Sequence, residues 1–130
     1  MAHEAEVREE LARLRIRAAD VTAAVVASID GLALAADPPV ADAEGIAALT
    51  AAALGVGLRL ADSTGRGAFR ELLVHGESGY VATYAAGPTC VLTVLAGPRV
   101  NVGRLHMEAR RAGARVAELL DGAAVRQEDS

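Results

Sequence analysis

The chain has 130 residues, enough for one domain with a real core and without the need for disulfides or metal to fold. Apolar residues make up 52% and charged residues 23%, an ordinary globular balance, and the formal net charge of −4 argues against nucleic acid, whose recognition leans on a basic surface. A single cysteine, Cys90, excludes an intrachain disulfide and suits a reducing, cytoplasmic setting. The N-terminus has no apolar signal segment, and Asp20, Asp30 and Asp37 interrupt the Ala-rich stretch that could otherwise span a membrane. All 13 basic residues are arginine, a bias that points to GC-rich bacterial codon usage.

Val7, Leu11, Leu14 and Ala18 recur at helical spacing, so residues 3–17 read as an amphipathic helix. Two apolar runs follow, 21–29 and 32–36, separated by Asp30-Gly31. This pair predicts a tight hairpin with positive φ at both turn positions. Pro38-Pro39 ends the second strand. The longest helical pattern spans 42–63, with Asp42 as N-cap and Gly65 and Gly67 closing it. Three strands come next, at 68–75, 80–86 and 89–96, joined by Gly-containing turns. Asn101 caps a last helix to about Leu120, and residues 121–130 form a short polar tail. The expected class is α/β: one domain over residues 1–120, a mainly antiparallel five-stranded sheet with helices on its faces, in the order α-β-β-α-β-β-β-α.

The 42–63 helix has two apolar stripes where a monomer's surface helix has one. Ile46, Leu49, Ala53, Val56 and Leu60 form the first, assigned to the sheet; Ala47, Ala51, Leu54 and Leu58 form the second. Either another helix of the same chain covers that second stripe, or a second protomer or a partner does. Gly55 and Gly57 within the helix cost about 1 kcal/mol each relative to Ala, which suits a close approach by a neighbour. The last helix, by contrast, carries one clean stripe (Val102, Leu105, Ala109, Ala112, Val116, Leu119) opposite a charged face of Arg104, Glu108, Arg111, Arg115 and Glu118, which either is simply solvated or binds an acidic partner.

No catalytic constellation emerges. Gly55-Val56-Gly57 and Gly65-Arg66-Gly67 lack the spacing of a phosphate-binding loop. His3, His75 and His106 are scattered, and none pairs with Cys90 at a metal-ligand spacing. Ser28, Asp30 and His75 lack a nucleophile elbow. The expectation is a protein with no cofactor, no metal and no enzyme activity of its own. Arg66, between two glycines in a loop, is an exposed arginine that could act as an arginine finger on a GTPase.

Three strings in this order resemble the roadblock/LC7 family: residues 25–35 (VVASIDGLALA), 72–81 (LLVHGESGYV), and 90–95 (CVLTVL) continuing through Val102-Gly103-Arg104-Leu105. The resemblance covers about residues 5–120. It departs before the first strand, where many relatives have Gly-Val and this chain has Asp20-Val21. The resemblance implies a sheet with the long helix on one face and the terminal helices on the other. It also implies a homodimer in which long helices pair and third strands join edge to edge into a ten-stranded sheet. The dimer interface would then comprise Ala47, Ala51, Leu54 and Leu58 on the helix and Phe69, Glu71, Leu73 and His75 along the third strand.

Family members similar to this one accompany small Ras-like GTPases, some as GTPase-activating partners that contribute no catalytic arginine. Others resemble scaffolds that also meet a sensor kinase-like protein. Glu44, Arg59, Asp62 and Arg66 form the candidate partner surface. A small-molecule sensor is the reading from another class. The small apolar residues available to line a pocket, with few convergent polar groups, argue against it.

Overall fold

The computed structural model describes residues 3–128 and follows the expected order: α1 (Glu4–Arg17), β1 (Val21–Ser28), β2 (Ala33–Asp37), α2 (Ala43–Ser63), β3 (Glu71–Gly76), β4 (Gly79–Ala86), β5 (Cys90–Ala96) and α3 (Val102–Glu128). The strands form one antiparallel sheet ordered β2-β1-β5-β4-β3. Because β2 and β3 are the two edges, α2 carries the chain from one edge of the sheet to the other.

Side chains alternate across the pleat, so each strand feeds two cores. Ala24, Val26, Ala82, Tyr84, Leu92 and Val94 face α1 and α3, meeting Val7, Leu11 and Leu14 from one helix and Leu105, Ala109, Ala112 and Val116 from the other. This is the larger core. The core on the other face is small: Ala27 and Val91 from the sheet and Ala47 and Leu54 from α2, with Ala33 and Phe69 beside them. Buried Thr83 and Thr93 are directly paired across β4 and β5, and their hydroxyls satisfy each other at 3.3 Å.

Three local expectations need correction, and one departure gains a meaning. The β1–β2 turn has positive φ only at Gly31, not at Asp30. Its N–H donates to the Ser28 carbonyl at 3.0 Å, and the loop spans residues 29–32, with a register irregularity between Val26 and Ala27 that absorbs the extra length. β3 begins at Glu71, because Ala68–Arg70 is still loop. α3 runs past Leu120 to Glu128, so the tail expected at 121–130 is helical over 121–128; residues 129 and 130 lie outside the described residues. Finally, Asp20 has φ 71, the left-handed region that glycine occupies at least cost. The departure from Gly-Val noted in the sequence therefore falls at a position where the backbone itself asks for glycine.

Candidate interaction surface

α2 is rotated relative to the sequence assignment. Its buried residues are Ala47, Thr50, Leu54 and Gly57. Ala47 and Leu54, expected at a partner interface, are therefore part of the chain's own core. Ala51 is half-buried, and Leu58 is exposed on one flank of the helix. The stripe assigned to the sheet faces outward instead: Leu49 is 72% exposed, and Val56 and Leu60 are 56% exposed, with Ile46 and Ala53 half-buried beside them. The reason is steric. The sheet-facing side carries mostly small residues and so approaches closely. The Thr50 hydroxyl donates to the Ala47 carbonyl at 3.2 Å and needs no other partner, and the Phe69 ring fills the notch at Gly57.

The outward stripe does not stand alone. Leu73, Ala82 and Val94 belong to the core under α1 and α3. Their chain neighbours Val74, Val81 and Leu95 must therefore face the α2 side, and these three are in register across β3, β4 and β5. Val74 is 54% exposed, and Val81 and Leu95 are half-buried, so α2 leaves an apolar row of the sheet uncovered. Leu60 joins the helix stripe to β3, lining a shallow depression of about 400 Å³ with Phe69 and Leu72. The outer edge of β3 is unpaired among the described residues. Exposed helix, bare sheet row and open strand edge thus form one apolar surface.

The side chains expected along β3 turn to the opposite face. Glu71 pairs with Arg110 of α3 and lies 3.8 Å from His106 Nδ1; Leu73 packs on the larger core; His75 stacks on Tyr80, ring centroids 4.2 Å apart. Phe69 lies before the strand. What β3 offers a neighbour on the α2 side is its backbone edge with Leu72 and Val74.

The candidate partner surface splits in two. Glu44 sits at the start of α2, where its carboxylate accepts the Ala33 N–H at 3.4 Å. Arg59 and Asp62 line a second shallow depression near the other end of α2, with Leu58, Gly67 and Phe69. At 1.5 Å rise per residue, Glu44 and Arg59 are about 22 Å apart along the helix. Arg66 follows the helix directly. The Gly65 N–H donates to the Asp62 carbonyl and the Arg66 N–H to the Ala61 carbonyl, with Gly65 left-handed at φ 68, a Schellman cap. The Arg66 side chain is exposed while its backbone is clamped, so it does not ride on a free loop.

Cys90 and Tyr84 are packing elements. Burial pushes the Cys90 thiol upward, away from the thiolate a nucleophile needs. Burial, helped by the Glu71 carboxylate, also holds the Tyr84 phenol well above its ordinary range, and its oxygen shares a 2.7 Å hydrogen bond with His106 Nδ1. Among the described residues no three His, Cys, Asp or Glu side chains gather as a metal site. At 21 residues, with an 18-residue stretch of mean hydropathy 1.4, α2 is long and apolar enough by composition to cross a membrane, which the residue pattern alone did not suggest. Its apolar excess has a local cause: one side covers the sheet and a second is equally apolar.

The Roadblock/LC7 domain family profile matches residues 7–96. Two uncharacterized proteins of Methanocaldococcus jannaschii are each 31% identical over 97 residues, covering 74% of this chain and 84% of their own. A Roadblock/LC7 domain from Streptomyces avermitilis superposes with a TM-score of 0.81 at 27% identity, covering 87% of this chain and 96% of that one. The gliding protein MglB from Thermus thermophilus superposes with a TM-score of 0.82 at 20% identity, over 94% of this chain and 93% of its own, a likeness of fold.

Proposed function

The chain belongs to the Roadblock/LC7 domain family, and on that premise we propose that it is a homodimeric, non-catalytic regulatory partner of a small Ras-like GTPase. The observation that carries the dimer is the outward stripe Leu49-Val56-Leu60 beside the open β3 edge. Burying one such side chain contributes roughly 1.5–3 kcal/mol. β3 also has no proline and no lysine to discourage edge pairing. A two-fold axis beside β3 would pair the two β3 edges. It would also lay each α2 stripe against its mate, above the bare row Val74-Val81-Leu95.

The GTPase then docks on the α2 side of the assembled dimer. Arg59, Asp62 and Arg66 at the end of α2 supply polar contacts next to the interface. The dimer works by presenting a surface to the GTPase, with the hydrolytic chemistry left to the GTPase's own groups. Light scattering at micromolar concentration should report twice the chain mass. Loaded cognate GTPase should bind the dimer and should lose affinity when the dimer is broken. A monomeric wild type, or a dimer that binds no GTPase, overturns the reading.

A further inference from the structure

Arginines gather where α1 packs on α3, on the face of the sheet opposite α2. At the bottom of this seam lie two buried carboxylates, Glu10 and Glu108, 5% and 6% exposed. Arg17 bridges them at 3.0 and 2.8 Å, and Arg13 adds a second contact to Glu10 at 3.0 Å. These acids are therefore neutralised from within. Above them opens a cleft of about 460 Å³, lined by Arg13, Arg17, Arg111 and Arg115 against Glu10 and Glu118. Arg111 has no ion-pair partner among the described residues; Arg104, farther along the seam, donates to the Arg17 carbonyl and has none either. Arg104, Arg111 and Arg115 share one helix face and span about 16 Å. The outward sides of the same two helices carry Ile16, 84% exposed, and Met107, 57% exposed.

We propose that the α1–α3 seam is a docking groove for an acidic segment of a partner protein. Arg115 pairs with Glu118 at 3.0 Å, but four arginines against two carboxylates still make the cleft a local positive field in a chain of net charge −4, and such fields attract and orient anionic partners. The row is too long for one phosphate and matches several carboxylates spaced along a chain. The cleft is concave, and a flat anionic bilayer would not fill it but a single extended segment can. Because this groove is on the face opposite α2, the reading is independent of the dimer and of the GTPase.

The test uses the full chain and a fluorescent oligo-glutamate peptide, read by anisotropy. The expected result is saturable binding that weakens at raised salt, with no binding of oligo-glutamine. Arg111→Gln alone breaks no ion pair and should weaken binding; Arg111→Gln with Arg115→Gln should weaken it about tenfold or more in a chain whose circular dichroism is unchanged. Arg59→Gln with Arg66→Gln, at the end of α2, should bind as the parent does. The proposal is overturned if oligo-glutamate does not bind, or if binding ignores the Arg111 and Arg115 substitutions. It is equally overturned if inorganic phosphate displaces the peptide as a single competing ion. So too if phosphatidylserine-containing vesicles, and not the peptide, capture the protein through Arg111 and Arg115.

Discussion

The ring of Phe69 occupies the space that a β-carbon on Gly57 would need. This contact ties the loop before β3 to the middle of α2 and sets how closely the helix lies on the sheet. Gly57→Ala should therefore destabilise the fold, because the clash outweighs the gain of about 1 kcal/mol in helix propensity. Gly55, two residues earlier, meets nothing within 4 Å. Gly55→Ala should raise stability by up to about 1 kcal/mol. Urea unfolding of the two variants should move their midpoints in opposite directions; a shared direction would refute this account of Gly57.

The two flanks of α2 make separable predictions. Leu54 is 5% exposed and belongs to the chain's own core, so Leu54→Arg should unfold the protein instead of merely splitting a dimer. Leu60→Arg places the charge on the outward stripe. It should leave the far-ultraviolet circular dichroism intact and yield a monomer by light scattering. A folded, fully dimeric Leu60→Arg chain would show that this flank is not the interface.

That reversal marks where sequence reading stopped. The Asp42 cap, whose carboxylate accepts the Gly45 N–H at 3.1 Å, was legible from residue type, and the single stripes of α1 and α3 were legible because each pairs one apolar face with one polar face. On α2 both candidate faces are apolar, and periodicity alone cannot say which meets the sheet. The deciding signal was residue size. Ala47, Thr50 and Gly57 permit a close approach, whereas Leu49, Val56 and Leu60 do not. The alternation along β3 was legible too, but which set faces α2 depends on the register with β4, which no local pattern encodes.

Arg17 joins Glu10 on α1 to Glu108 on α3, both nearly inaccessible. Arg17→Ala leaves buried Glu108 without a cation and Glu10 with Arg13 alone, a loss of roughly 3 kcal/mol or more. Arg13 is 54% exposed, and Arg13→Ala should cost under about 1 kcal/mol. Replacing Arg17, Glu10 and Glu108 together by apolar residues of similar volume should recover most of the loss. Chemical denaturation of this series would contradict the burial argument if Arg17→Ala proved no worse than Arg13→Ala.

Tyr84 couples stability to alkaline pH. Its phenol is held above the ordinary value of 10.0, first by burial and then by Glu71, so the folded chain binds that proton more tightly than the unfolded chain. Its contribution is complete below that value and is lost as pH rises above it. Tyr84→Phe also forfeits the hydrogen bond to His106, costing about 1 kcal/mol near neutral pH. The wild-type and Tyr84→Phe stability curves should therefore converge at high pH, with Cys90 kept in both because its raised thiol acts with the same sign. Parallel curves would show that Tyr84 is not the titrating group.

The functional prediction turns on Arg66. The purified chain alone should hydrolyse neither GTP nor ATP nor an ester, since its described residues offer no metal cluster and the one cysteine is a buried, upward-shifted thiol. Hydrolysis should respond only when a cognate small GTPase is added. Arg66 is exposed at the end of α2, where a docked GTPase could meet it, but its backbone is held by the Schellman cap and cannot swing into a distant site. An inserted arginine finger would contribute ~10³-fold or more to the rate. Arg66→Ala should instead cost only a few-fold, through lost surface contact, if the dimer acts by reorienting the GTPase's own groups. Single-turnover hydrolysis with wild type and Arg66→Ala separates these mechanisms. Collapse to the unstimulated rate in a folded, dimeric variant would make Arg66 the finger. Binding of the loaded GTPase without any stimulation by wild type would leave the protein a tether, a scaffold that positions the GTPase and does not speed its turnover.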